Sequence, residues 1–265
     1  MKKILFIALF MLLLSSIAFL DKSMAAPAPT LGRAWTYPNL TLGFSPEWSF
    51  TIMPGYRFEF YRSEGDTLNS FLYELFVGPN YTKRFSDLTL KLSLWYYYSG
   101  FDLNRGSLNS FLYSHNIEFV PAVDYKIGKF TLSDRILTHS KIYAANNWFT
   151  TSDQRWGYSL LLRQMLKVGY SITSTLSVFV ADEIFIGLIE DNDTKKIRKG
   201  EPFFEEKGFS KNRVYLGGAY KVTPSFSISP QYVLETNYNP ADKHKLKTKE
   251  HYIFLGLDYV LKLYE

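Results

Sequence analysis

The stretch KNRVYLGGAYKVTPSFSISPQYVLETNY, residues 211–238, places apolar and polar side chains at alternate positions. Val214, Leu216 and Tyr220 fall on one face of an extended chain, and Arg213 falls on the other. Successive side chains of a β-strand point to opposite faces of the sheet, so this stretch predicts two strands joined by the turn VTPS. One face of the pair is apolar and the other is polar. The fold depends on which of these two faces is the inside.

The same alternation recurs along most of the chain, in ten segments: 47–62, 69–83, 86–100, 110–126, 129–144, 156–172, 175–189, 209–222, 225–239 and 250–264. Strands of soluble proteins are typically shorter, at about 5–6 residues. A tilted strand needs about 9–11 residues to cross a bilayer, and each of these segments is long enough to do so. The segment lengths therefore favour strands that span a membrane.

The connections between these segments alternate in length. Short turns occur at 85–87, 126–129, 173–175 and 222–225, and long polar connections occur at 62–69, 100–109, 143–156, 190–210 and 237–250. Short turns on one side and long loops on the other are typical of outer-membrane barrels. The sequence therefore predicts an all-β fold, a transmembrane antiparallel up-and-down β-barrel of ten strands over residues 47–265.

Residues 1–25 predict a secretory signal peptide that is removed after Ala25. Lys2 and Lys3 precede an apolar run of about 17 residues, and small residues stand at the positions required before the cleavage point. No later run is apolar enough for a membrane helix, so a mature chain that stays in a membrane must form a closed barrel. The expected location is the bacterial outer membrane.

The N-terminal segment, residues 26–46, allows more than one interpretation. PNLTLGF, residues 38–44, could form an additional strand that SPE joins to the first predicted strand, and the strand count would then be odd. A short hairpin within residues 33–46 would instead give twelve strands. Ten and twelve strands remain close alternatives.

Aromatic residues make up 18% of the chain, with 20 Tyr, 22 Phe and 5 Trp. On the apolar face they gather at the two ends of the predicted strands, as in the aromatic belts of membrane barrels. Near the short turns they are Trp48, Tyr81, Tyr125, Phe130, Tyr170, Tyr220, Phe226 and Tyr259, and near the long connections they are Phe60, Tyr96, Tyr98 and Tyr238. The expected partners of this surface are outer-membrane lipid and lipopolysaccharide.

The polar face carries many charged residues. On the lipid side, Arg or Lys near the midplane would each cost about 2–4 kcal/mol, so this face is predicted to point inward. The predicted lumen-lining residues are Arg57, Glu59, Glu74, Lys91, Glu118, Arg135, Arg163, Lys167, Glu183, Arg213, Glu235 and Asp258. Arg213 and Glu235 lie opposite each other on adjacent strands, which predicts an ion pair. Asp182 would then face lipid, unless a β-bulge or a position near the loop-side interface accounts for it.

The polar face supports two functional hypotheses. The first is a narrow porin-like channel for small solutes, in which Arg57, Arg135, Arg163, Lys167 and Arg213 would favour anions. The second is a closed structural or binding barrel, with a salt-bridged interior, that acts through its long extracellular loops. Barrels of about eight strands are filled by side chains, whereas porins of about 16–18 strands leave a channel. A barrel of intermediate size leaves both hypotheses open.

Catalysis and metal binding have little support in the sequence. The chain has no cysteine, which excludes disulfides, thiolate metal sites and a cysteine nucleophile. His139 and Ser140 are adjacent and so face opposite sides of a strand, and neither a His-x-Ser spacing nor a Gly-x-Ser-x-Gly turn occurs. An outer-membrane lipid-active enzyme is therefore the weakest hypothesis, and no catalytic residue, metal or cofactor is expected. The net charge of +5 is mild and no basic cluster predicts nucleic-acid binding.

Three stretches, DEIF (182–185), FSKNRVYLGGAYKV (209–222) and SFSISPQYVLETNYN (225–239), resemble the C-terminal half of a family of uncharacterised, porin-like bacterial outer-membrane β-barrels. The family shows a Glu-x-Phe strand followed by an Asn-Arg-x-x-x-Gly strand. The matching residues here are Glu183, Phe185, Asn212, Arg213 and Gly217. The resemblance implies the fold and the location, and it implies no substrate.

The last predicted strand carries a second resemblance. GLDYVL, residues 256–261, is similar to the C-terminal signal recognised by the barrel-assembly machinery, with Gly256, Tyr259 and Leu261 at the required positions. The resemblance implies that this machinery is a partner. The barrel is expected to be a monomer.

Overall fold

The computed structural model describes residues 28–64, 69–102, 111–146, 155–191, 206–240 and 245–264. The described strands are β1 Thr30–Gly43, β2 Trp48–Arg62, β3 Asn69–Arg84, β4 Leu88–Asp102, β5 Phe111–Ile127, β6 Phe130–Asn146, β7 Arg155–Ser171, β8 Leu176–Ile189, β9 Gly208–Thr223, β10 Phe226–Asn239 and β11 Lys245–Lys262. β2 to β11 correspond to the ten predicted segments. The predicted signal peptide and the central parts of the long connections lie outside the described residues. Within the described ranges no helix is long and apolar enough to cross a membrane.

The strands close into one barrel in which sequence neighbours pair antiparallel and β1 pairs with β11 in parallel. The prediction of ten or twelve strands is therefore wrong, and so is the prediction of a wholly antiparallel sheet. The alternative of one additional strand and an odd count is confirmed, because PNLTLG forms the end of β1, a single strand of 14 residues, and the alternative of a hairpin within residues 33–46 is wrong. With an odd number of alternating strands, the first and the last run in the same direction. The register from Thr30↔Lys249 to Gly43↔Lys262 is parallel for this reason.

Tight turns define one end of the barrel, called here the short-turn end, and the opposite end is the loop end. Gly128 has a positive φ of 59° in the turn between β5 and β6, a conformation that favours glycine. Thr173 and Thr223 stabilise two other turns, because their Oγ1 atoms accept hydrogen bonds from the backbone amides of Leu176, at 2.9 Å, and Phe226, at 3.0 Å. These turns fix the register of the strand pairs that they join.

The exterior of the barrel is apolar and the interior is charged. Leu216 and Ile253 are 63% and 65% exposed, whereas Glu59, Glu118 and Glu183 are 0% exposed. Exposed aromatic rings pack in pairs near the short-turn end, with centroids 5.0 Å apart in Trp48–Tyr81 and in Phe130–Tyr170. This distribution is the reverse of that in a water-soluble protein, which buries its apolar side chains and exposes its charges.

Asp182 faces the exterior, because its neighbours Ala181 and Glu183 face the lumen. A β-bulge does not explain this position, since Asp182 pairs with Leu166 and Val214 without a register shift. Its carboxylate is buried on the outer surface, and Oδ1 accepts a hydrogen bond of 2.8 Å from Nδ2 of Asn212. The aspartate is therefore accommodated by a polar neighbour on the adjacent strand.

Candidate functional site in the barrel interior

The barrel contains a cavity of about 950 Å³ whose wall includes side chains from all eleven strands. At the loop end the wall includes Arg62 and Asn237, and at the short-turn end it includes Ser171 and Ser177. The cavity therefore extends along most of the length of the barrel. It is the candidate functional site.

The twelve residues predicted to line the lumen occupy three kinds of position. On the cavity wall are Arg57, Glu74, Glu118, Arg135, Arg163, Lys167, Arg213 and Glu235. Glu59 and Glu183 lie behind other inward side chains and are fully buried. Lys91 and Asp258 lie nearer the short-turn end, where Lys91 Nζ pairs with Asp124 at 2.6 Å and Asp258 accepts a hydrogen bond of 3.0 Å from Asn39.

Glu74 of β3 is the centre of one polar cluster. Arg57 of β2 donates two hydrogen bonds of 3.1 Å, one to each carboxylate oxygen. The hydroxyl groups of Tyr37 and Tyr97 donate to the same two oxygens at 2.6 Å. Both oxygens of the carboxylate are thereby satisfied by donors from β1, β2 and β4, and bidentate guanidinium pairs of this kind are geometrically specific.

Glu183 of β8 is the centre of a second cluster that contains three arginines. Its Oε1 accepts hydrogen bonds from Arg135 at 2.8 Å and from Arg163 at 2.9 and 3.1 Å. Its Oε2 accepts a bond of 2.6 Å from the hydroxyl of Tyr215 and lies 3.8 Å from Arg213. One carboxylate thus offsets the mutual repulsion of several cations that would be unfavourable without it.

Arg33 of β1 joins β2 and β11 at the loop end. Its Nε donates to Glu59 at 3.0 Å, and its Nη1 pairs with Glu250. Arg62 also donates to Glu59, at 2.8 and 3.0 Å. The hydroxyl of Tyr252 accepts from Arg33 and donates to Glu250 at 2.6 Å. This cluster therefore reinforces the parallel closure of the barrel with side-chain contacts.

Glu118 of β5 binds His139, which is the only histidine among the described residues that lies with the charged side chains of the lumen. His139 contacts Glu118 through Nδ1 and Asn116 through Nε2, each at 2.9 Å. Ser140, its neighbour in sequence, points to the other face and lies 3.4 Å from Tyr158. The ring nitrogens of His139 are thus engaged by Glu118 and Asn116, and the hydroxyl of Ser140 is directed away from the ring.

The predicted ion pair between Arg213 and Glu235 is present. The two residues are direct cross-strand partners, and Arg213 Nε donates to Glu235. Lys211 binds the other carboxylate oxygen of Glu235 at 2.8 Å. The Arg213 guanidinium also lies 5.2 Å from the ring of Trp35 on β1, and the Arg57 guanidinium lies 3.7 Å from that ring. Trp35 therefore connects charged clusters on two different sides of the barrel.

These contacts form a continuous band across the lumen, which we call the ion-pair layer. Its cations are Arg33, Arg57, Arg62, Arg135, Arg163, Lys211 and Arg213, and its anions are Glu59, Glu74, Glu118, Glu183, Glu235 and Glu250. Every arginine that was predicted to line a channel lies in this layer, and each has a carboxylate partner. Their charges act mainly on one another, because low-dielectric surroundings strengthen close pairs.

Below the ion-pair layer, aromatic rings lie against glycine backbones on the inward face. The ring of Tyr37 covers Gly55 so closely that a Cβ atom there would lie 1.9 Å from Cε1. A Cβ at Gly217 would lie 2.8 Å from Cζ of Phe179. Glycine at these positions lets large rings lie flat on the wall and leaves room in the lumen.

Sequence analysis missed several residues of this site. Arg33, Trp35 and Tyr37 belong to β1, which was left in the N-terminal segment, and Glu250 stands at the start of the last predicted strand. The alternation of Arg33, Trp35 and Tyr37 with smaller residues was the available signal. It is weak, because the outward positions of β1 include Thr36 and Pro38. In the described part of the chain no group of three or more potential ligands could hold a metal ion.

Comparison with known proteins places the chain among uncharacterised families, as the resemblance predicted. Residues 32–245 match a family model described as "Protein of unknown function (DUF2490)". The match begins within β1 and reaches the start of β11, so it covers nearly the whole barrel. No curated protein and no solved structure matches the chain.

Proposed function

The chain belongs to the DUF2490 family, and we propose that it is a bacterial outer-membrane β-barrel that acts as a narrow porin-like channel for small solutes. The observation that carries this proposal is the cavity, which receives side chains from all eleven strands and extends from Ser171 and Ser177 to Arg62 and Asn237. A path of this extent along a barrel axis is what a solute channel requires. The ion-pair layer lies across this path.

The exterior supports the membrane location. A lipid-facing barrel surface needs an apolar band with aromatic residues at its edges. Leu216 and Ile253 supply exposed apolar surface, and Trp48, Tyr220 and Tyr259 are exposed aromatic residues at the short-turn end. Cell fractionation should recover the protein with outer-membrane markers, and recovery in the soluble periplasmic fraction would contradict the location.

The partners follow from this location. Lipid and lipopolysaccharide would contact the exterior, and the barrel-assembly machinery would recognise Gly256, Tyr259 and Leu261 during insertion. Tyr259 and Leu261 are exposed on the outer face of β11, where such a partner could reach them. We propose a monomeric, non-enzymatic barrel with no nucleic-acid partner.

The experiment that tests the channel is electrical recording with the purified, full-length protein in planar bilayers. A channel predicts discrete current steps that are small, because Trp35 and the paired arginines narrow the lumen. The reversal potential in a salt gradient then gives the ratio of anion to cation permeability. Absence of current steps, together with absence of solute uptake by proteoliposomes, would contradict the channel.

A closed structural or binding barrel is the second candidate, and a separate observation favours it. The side chains of Arg213, Arg57, Arg33, Arg62 and Arg163 are only 5%, 10%, 11%, 14% and 16% exposed. Side chains that line a wide aqueous pore would contact more water. A silent barrel in bilayers that still inserts stably into the membrane would support this second candidate. A lipid-active enzyme has no comparable observation, since the ring nitrogens of His139 contact Glu118 and Asn116, and the hydroxyl of Ser140 lies on the other face of the strand.

A further inference from the structure

Two further cations, Lys91 on β4 and Lys167 on β7, lie between the ion-pair layer and the short-turn end, with Asp124 of β5 beside them. Arg135 on β6 belongs to the ion-pair layer and borders this group. The strand register brings these residues together, because Ser133 is the direct partner of both Asp124 and Lys167. Lys167 lies within electrostatic range of Asp124, Lys91 and Arg135. The three cations therefore share one local environment.

The negative charge at this place is already engaged. Asp124 pairs with Lys91 at 2.6 Å, and Glu183, which binds Arg135, is shared with two further arginines. Three cations, Lys91, Lys167 and Arg135, therefore face one whole carboxylate, Asp124, and a share of a second, Glu183. Positive charge is therefore in excess on this part of the wall.

Two donor groups remain at this place without a partner. Among the described residues Lys167 makes no ion pair or hydrogen bond, although its side chain lies on the cavity wall. Arg135 uses Nη2 for Glu183, and its buried Nε has no hydrogen-bond partner. A buried cationic donor without an acceptor is unfavourable, and an anion that enters the cavity would satisfy it.

An apolar wall stands beside these donors. The ring centroid of Phe179 lies 5.5 Å from Lys167 Nζ, and Met165 is the direct cross-strand partner of Arg135. Phe179 can lie against the wall because its neighbour on β9 is Gly217. Small-molecule sites commonly combine a mostly apolar lining with a few polar groups that orient the ligand.

We propose that Lys167 and Arg135 form a binding site for a small organic anion, a carboxylate attached to an apolar body. The carboxylate would accept hydrogen bonds from Lys167 Nζ and Arg135 Nε, and the apolar body would lie on Phe179 and Met165. This inference rests on the proposed function, in that it names the class of solute held in the same cavity. It also assigns anion preference to Lys167 and to the unpaired Nε of Arg135, rather than to the other arginines of the ion-pair layer.

The test measures binding of benzoate to the full-length protein folded in detergent micelles, by titration calorimetry, with benzyl alcohol as a neutral ligand of similar shape. Benzoate should bind saturably and at least about tenfold more tightly than benzyl alcohol, because only benzoate pairs with the cations. Lys167→Met should weaken benzoate binding by about tenfold or more, and Lys167→Arg should restore most of it.

The matched control is Lys221→Met, which removes an inward-parity lysine at the same end of the barrel but outside the cavity wall. It should leave the affinity for benzoate within about twofold of the parent, and circular dichroism should show that each variant is folded. Equal binding of benzoate and benzyl alcohol would overturn the proposal, as would equal losses in the Lys167 and Lys221 variants.

The results for the site and for the channel can be separated. Current steps in bilayers without saturable benzoate binding would overturn the anion site and leave the channel standing. Benzoate binding that depends on Lys167 in a barrel with neither current steps nor solute uptake would support the site and contradict the channel.

Discussion

Glu183 is the carboxylate in the lumen that contacts three arginines. It is fully buried and contacts Arg135, Arg163, Arg213 and Tyr215. Paired charges in a low-dielectric interior add little net stability compared with apolar side chains of the same volume. Removal of one partner is far more costly, because the remaining charges are then buried without compensation. The role of Glu183 is therefore to make the arrangement of its arginines possible.

Glu183→Gln should lower the free energy of unfolding by about 3–5 kcal/mol, the range observed when one member of a buried ion pair is removed. The glutamine keeps the shape of the side chain but leaves the guanidinium group of Arg135 without a negative partner and that of Arg163 with only Glu118, at 3.8 Å. Urea unfolding of the protein in lipid vesicles measures this loss. Asp258→Asn is the control, because Asp258 accepts a hydrogen bond from Asn39, and its effect should stay within about 1 kcal/mol.

Asp182 and Asn212 form a hydrogen-bonded pair on the outer surface. Asp182→Val removes the closer of two acceptors of a buried Asn212 amide, which keeps only the backbone oxygen of Glu183 at 3.3 Å, and should destabilise the barrel by about 1–3 kcal/mol. The double variant Asp182→Val with Asn212→Val leaves no such amide and should lose less stability than the sum of the two single variants. A double-mutant cycle should therefore give a coupling energy above about 0.5 kcal/mol. Additive effects of the two substitutions would contradict the pairing.

At the scale of elements, strand periodicity carries most of the information in the sequence. β9 was predicted over 209–222 and spans Gly208–Thr223, and eight of the other predicted strands begin and end within two residues of the observed bounds, whereas β11 begins at Lys245, five residues before its predicted start. Long strands with one apolar and one charged face specify their register strongly, because a shift by one residue would exchange the two faces. β1 was not predicted as a full strand, because its outward face includes Thr36 and Pro38 and is not consistently apolar.

The interior contacts were only partly predictable for a related reason. Arg213 and Glu235 are cross-strand neighbours on consecutive strands, so their pairing follows from parity and turn position. Arg135 and Glu183 lie on β6 and β8, two strands apart, and meet only because the lumen is narrow. Parity gives the face of a side chain, but it does not give the barrel radius or the reach of the side chain across it.

The parallel pairing of β1 with β11 can be tested by cross-linking. Ala34 and Ile253 are direct partners in the register, and Ile253 points outward. A short bifunctional thiol reagent should therefore link Ala34→Cys to Ile253→Cys. The pair Ala34→Cys with Leu257→Cys should not react, because Leu257 lies four residues beyond Ile253 along β11, which places it roughly 13 Å from the partner position of Ala34. The natural chain has no cysteine, so there is no background reaction. The opposite pattern would contradict the parallel register.

At the scale of the whole molecule, the barrel combines an apolar exterior with an interior that neutralises most of its own charge. The ion-pair layer holds strands together that are not neighbours, because its contacts link β1 with β3 and β9, and β6 with β8. The same contacts occupy the lumen. Contacts that make the barrel more rigid therefore also make it less permeable. The side chain that lies between the Arg57 and Arg213 clusters should affect both properties.

Trp35 is that side chain, since its ring lies 3.7 Å from the Arg57 guanidinium and 5.2 Å from that of Arg213. Trp35→Ala removes a large aromatic group from the lumen and should increase the single-channel conductance in planar bilayers, or create a conductance if the parent is silent. It should also lower the free energy of unfolding by about 3–5 kcal/mol, as for other buried tryptophans. Trp48→Ala is the matched control, because Trp48 lies on the exterior beside Tyr81 and its loss leaves the lumen unchanged. Equal conductance in the parent and both variants would mean that the constriction lies elsewhere than in the ion-pair layer.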